Sequence, residues 1–171
     1  MASERLWIDH IILVRSFVSY RLEGNTEAVK MIDKKVVRNM NEIGYLIAPF
    51  YGKGTYEQFS TLLSRHYTAV KEYLDTSLTS DRFARERAID RLNANMEEIA
   101  DFLSSENSDI SMETISSLLR AHAGYNVAQI DAVKAKNFTA EQEVWEAMER
   151  NVYRIADALA DGMIKQFPDK F

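Results

Sequence analysis

The chain has 171 residues, 46% hydrophobic and 27% charged, with a net charge of −5 and no cysteine. That length lets a single domain, residues 1–171, bury about 70% of its unfolded surface, so folding by itself demands neither a metal nor a cross-link. The acidic balance argues against a nucleic-acid surface, which needs clustered Lys and Arg. The missing cysteine excludes disulfides, thiolate metal sites and CxxC redox chemistry.

In chain order, the first 20 residues hold no apolar run longer than residues 11–14, flanked by Asp9, His10 and Arg15. They are neither a signal-peptide core nor a membrane span, and the cytoplasm is the expected compartment. Leu6, Ile11, Leu13, Phe17 and Val18 follow a helical period up to a turn at Glu23, Gly24 and Asn25. A second helix is predicted over 26–47, with Val36, Met40, Ile43 and Ile47 along one face, ended by Pro49 and the glycines at 52 and 54. A third runs over about 56–76, turns through 77–81, and gives way to a fourth reaching about 104. The fifth starts near 111 and turns at 136–139; the sixth reaches about 165, ahead of Pro168. Thr55 with Gln58, Ser111 with Thr114 and Thr139 with Gln142 have the spacing of helix N-caps. No segment alternates with a period of two, so the expected fold class is all-α, a six-helix bundle.

The three histidines, His10, His66 and His122, stand 56 residues apart each time. At that shift Leu6, Leu62 and Leu118 align, as do Ala28, Ala84 and Ala140, then Asn39, Asn95 and Asn151, then Ile43, Ile99 and Ile155. The pattern is that of one helical hairpin present three times, over 6–61, 62–117 and 118–171. Each histidine lies as far from its hairpin turn as the asparagine of the partner helix, so the two should face each other, both buried.

Two readings follow. In the first, each imidazole hydrogen-bonds its asparagine and locks the hairpin register, since an unpaired buried polar group costs about 1 to 3 kcal/mol. In the second, pseudo-threefold closure gathers the imidazoles around a divalent metal with an open position for water. Glu42 and Glu98, which share a column occupied by Arg154 in the third copy, are candidate extra ligands or bases, and Trp7 is a candidate pocket wall. Trp7, Leu63 and Leu119 stand three residues before the histidines, so the Glu-x-x-His pairs of di-iron bundles are absent. Gly-rich phosphate loops, Gly-x-Ser-x-Gly and His-Glu-x-x-His are absent too.

The segment from Leu6 to His10 with Arg15, the stretch Asn39 to Gly44, Pro49-Phe50-Tyr51-Gly52, the run from Asn95 to Ser104 and the ending Lys165 to Phe171 resemble a family of small bacterial proteins of unknown function. The resemblance spans the whole chain, and it implies a histidine in each of the three places. Proteins similar to these are sometimes labelled acetylglutamate kinase or glycosyltransferase. Either activity requires a parallel sheet with Gly-rich phosphate turns, whereas this chain has six glycines and no strand signal.

The leading expectation is a non-catalytic helical protein acting through binding or assembly. A metalloprotein built on His10, His66 and His122 comes second, and third a carrier whose cavity is lined by Trp7, Tyr45, Tyr67 and Tyr125. The sequence leaves ligand and partner open, with a divalent metal as the candidate cofactor and a homo-oligomer as the candidate assembly, and it points to no nucleic acid and no membrane span.

Overall fold

A computed structural model describes residues 2–171, with side chains from residue 4 onward. It contains six α-helices and, among the described residues, no strand: α1 (Ala2–Leu22), α2 (Thr26–Tyr45), α3 (Ala48–Ser77), α4 (Arg82–Glu106), α5 (Met112–Lys134) and α6 (Phe138–Gln166). A short 3-10 turn, Pro168–Lys170, follows. No helix among the described residues is long and apolar enough to cross a membrane.

The helices begin where a short polar side chain can satisfy free N–H groups of the first turn. Asn25, Asp81 and Asn137 accept from the N–H of Ala28, Ala84 and Ala140 at 3.1, 2.9 and 3.1 Å, and Ser111 accepts from Thr114 at 3.3 Å. Asn137, two residues before the expected Thr139, is therefore the cap of α6. The third helix differs most from expectation. It starts at Ala48 rather than 56, carrying Pro49 in its first turn, where a missing N–H costs nothing, and breaks at Gly52 with φ at 82°. Thr55 thus lies inside the helix, and its hydroxyl donates to Glu106 at 3.4 Å.

Each helix packs on the next, and α6 returns onto α1, so the six close into a ring. Within it, α5 also touches α1 and α3. The α1–α6 seam is fastened by Arg15, whose guanidinium meets the buried Glu141 carboxylate at 2.6 Å and lies 5.3 Å from the Trp145 ring centre. One continuous core fills the ring, drawing Val14 and Val18 from α1, Val36 from α2, Val70 and Leu74 from α3, Leu92 from α4, Ile115 and Ile130 from α5 and Ile155 from α6. The buried row of α1 runs through Trp7, Ile11 and Val14, while Leu6 and Leu13 are only half-buried. At the bundle end opposite the hairpin turns, the C-terminus folds over Pro49, Phe50 and Tyr51. Phe171 stacks on Phe50, and Lys170 donates to the Pro49 carbonyl at 2.7 Å.

Candidate metal centre

His10, His66 and His122 sit on α1, α3 and α5, one on each of three alternate helices of the ring, and ring closure brings them together. Their imidazole centroids form a nearly equilateral triangle with sides of 6.1, 6.0 and 5.4 Å. One nitrogen from each ring lies within 4.8 Å of the others, and among the described residues this is the group of His, Asp and Glu with the spacing to hold a metal ion. All three side chains are 4% exposed. Tetrahedral zinc at 2.0 to 2.1 Å from its nitrogens holds them about 3.3 Å apart, so each nitrogen would move inward by no more than about 0.8 Å.

Burial also sets the protonation state, because desolvation disfavours the imidazolium form. It lowers His10 from 6.5 to about 4, with the Asn39 hydrogen bond opposing part of the shift. His122 is lowered to about 3 by burial and then by His10. His66 falls well below its ordinary value through burial, His122 and His10. All three rings are therefore neutral at pH 7, the form that binds metals.

Three asparagines stand behind the rings. Asn39, Asn95 and Asn151 donate from Nδ2 to the carbonyls of Leu6, Leu62 and Leu118 at 2.9, 3.2 and 3.1 Å. Those bonds pin each asparagine of an even helix to the preceding odd one and fix which end of the amide is the oxygen. Of the three expected histidine–asparagine bonds, one forms: His10 Nδ1 to Asn39 Oδ1 at 3.2 Å. His66 Nδ1 and Nε2, His122 Nδ1, Asn95 Oδ1 and Asn151 Oδ1 are buried without a partner. Among the described residues, five of the eight buried side-chain nitrogens and oxygens without a partner thus belong to these histidines and asparagines, the other three being Ser60 Oγ, Arg85 Nε and Gln129 Nε2. A purely structural role for the histidines leaves the five unexplained.

The other expected site residues lie elsewhere. Glu42 and Glu98 are on the outside of the bundle, paired with Arg38 at 2.8 Å and Arg65 at 3.2 Å, and do not join the histidines. Each follows its asparagine by three residues, a step that rotates it off the inner face toward solvent. Trp7 lines a separate apolar cavity of about 30 Å³ together with Ile43, Phe59, Leu103 and Leu159. That is small beside the roughly 150 Å³ that accommodates benzene. The tyrosines expected to share its wall do not. Tyr45 is exposed, Tyr67 donates to Asp33 at 3.0 Å, and Tyr125 faces a groove between α5 and α6.

Sequence reasoning overlooked the caps Asn25, Asp81 and Asn137, although they too are spaced by 56 residues and each precedes a member of the alanine column by three. Compared with known proteins, the chain matches no family model, no curated protein and no solved structure.

Proposed function

We propose that the protein binds one divalent transition-metal ion at the centre of its helical ring, with His10, His66 and His122 as the protein ligands, and that its role is binding rather than turnover. The observation that carries this reading is the approach of three buried imidazoles to within 4.8 Å of one another. Neutral imidazoles suit zinc, copper, nickel or iron, whereas magnesium and calcium require oxygen ligands that this site lacks. With Glu42 and Glu98 turned outward, no carboxylate among the described residues joins the histidines to offset the charge of the ion, so the ligand bonds must outweigh the cost of desolvating a dication. An ion drawing one nitrogen from each ring leaves the other nitrogen free to donate. Modest ring rotation then lets His66 and His122 use Asn95 Oδ1 and Asn151 Oδ1 as His10 uses Asn39, the usual arrangement behind a metal-bound histidine.

The hairpins are, in this reading, three copies of one unit, each contributing one ligand and one supporting asparagine. Among the described residues no serine or threonine hydroxyl is hydrogen-bonded to a histidine, and Glu42 and Glu98 are held in surface ion pairs, which supports binding over turnover.

Titration of chelator-treated protein with zinc, followed by calorimetry, tests the proposal. One ion per chain is expected, with binding lost in His66→Ala and His122→Ala and retained in Glu42→Gln and Glu98→Gln. Equal affinity in the wild type and the histidine variants would refute it.

A further inference from the structure

The hairpins differ in the charged residues that line their grooves. The grooves between α3 and α4 and between α5 and α6 occupy equivalent places in consecutive hairpins, 56 residues apart. In the first, Arg65 spans to Glu98 at 3.2 Å and Arg91 to Glu72, so its charges are neutralised across the cleft. In the second, the positions of Arg65 and Glu98 are held by Ala121 and Arg154, and that of Ala94 by Arg150. No ion pair among the described residues bridges this groove. Arg150 and Arg154 are exposed, a helical turn apart, and neither guanidinium has a partner among the described residues. Two like charges at that spacing weaken the helix that carries them.

The walls complete an arrangement suited to a ligand. Tyr125 supplies a half-buried aromatic face, and Ser117 and Thr114 supply hydroxyls on the α5 side. The space measures about 590 Å³, within the range of small-molecule sites, about 300 to 1,000 Å³. Glu113 is the one carboxylate on its rim. The α3–α4 groove, at about 440 Å³, has room as well, but its arginines are already occupied by Glu98 and Glu72.

We propose that the α5–α6 groove binds a small organic dianion, a phosphate monoester or a dicarboxylate, with Arg150 and Arg154 as the charge-reading residues and Tyr125 as the surface for the organic part. Planar guanidinium groups match the oxygen geometry of either group. The groove shares Leu118 and Asn151 with the surroundings of His122, but Arg150 and Arg154 are not among the residues placed at the metal centre, so each proposal has its own test.

The test is calorimetric titration of chelator-treated protein with phenyl phosphate and, in a second arm, succinate, at constant ionic strength. Saturable binding of at least one is expected, and the arm that binds more tightly identifies the anion class. Arg154→Glu restores the residue type of the other two hairpins on an exposed face, so it folds; it should weaken binding about tenfold or more. Arg150→Gln should weaken it less, and Glu113→Gln should tighten it. Absence of saturation by either compound at 10 mM on the order of a weak metabolite site, or an affinity unaltered in Arg154→Glu, would overturn the proposal.

Discussion

Acidification of the metal-free protein is the perturbation that bears most directly on the buried triad. An unfolded histidine titrates near 6.5, while the folded protein holds His10 at about 4, His122 at about 3 and His66 well below 6.5. The folded values are depressed, so the unfolded chain binds more protons; stability is fully present above pH 6.5 and is lost as the pH falls toward the folded values. Near pH 5 His10 and His122 are protonated when unfolded and neutral when folded, and His66 shifts in the same direction. The first two alone give a slope of about 3 kcal/mol per pH unit, at 1.36 kcal/mol per proton. Between pH 7.5 and pH 5 their loss integrates to about 4 kcal/mol, to which His66 adds, against the 5 to 15 kcal/mol that a domain normally has. Urea unfolding in the presence of chelator at pH 7.5, 6.5, 5.5 and 5.0 measures this slope before most carboxylates titrate. A stability that stays flat over that interval, or imidazole C–H resonances of the folded protein that titrate near 6.5, would refute the reasoning.

Other expectations rest on single contacts. Asn39→Ala removes the donor to the Leu6 carbonyl, in a part-buried bond, and the buried partner of His10, and should cost about 1 to 3 kcal/mol in urea unfolding at pH 7.5. Asp81→Ala removes the exposed cap of α4 and should cost about 1 kcal/mol, whereas Asp81→Gly should cost only a few tenths. Gly52→Ala places a Cβ on a residue with φ at 82° and ψ at 178°, a region open essentially to glycine alone, so the break in α3 should become costlier by about 1 to 3 kcal/mol, read as a lower melting temperature. Zinc at a hundredfold excess over its dissociation constant should raise the stability of the wild type by about 2.7 kcal/mol, and should leave His122→Ala unmoved.

Periodicity made the helices legible, because Val36, Met40, Ile43 and Ile47 leave no other face for α2 to bury. The break between α2 and α3 was misplaced for a local reason. Pro49 and Gly52 look like terminators in sequence, but proline is harmless in a first turn and glycine lets one helical stretch bend into the next. The histidine and asparagine columns were visible as equal spacings. What spacing could not convey is whether hairpins stack in a line or close, since that depends on contacts such as Arg15 with Glu141, 126 residues apart. Closure is what turns three separate histidines into a triangle. Glu42 and Glu98 were drawn toward the site by their column alone, and side-chain direction, one short step around the helix from asparagine, sends them outside instead. The same comparison of columns held the arginine substitution at 154, whose meaning emerged only once the ion pair bridging the neighbouring groove was seen.

The most direct measurement of the central claim is a crystal structure of zinc-loaded protein, purified without an affinity tag, with diffraction recorded on both sides of the zinc absorption edge. A single anomalous peak is expected at the centre of the ring, about 2.0 to 2.1 Å from one nitrogen each of His10, His66 and His122. Anomalous density confined to the surface, with the three imidazoles unmoved and bare, would contradict it.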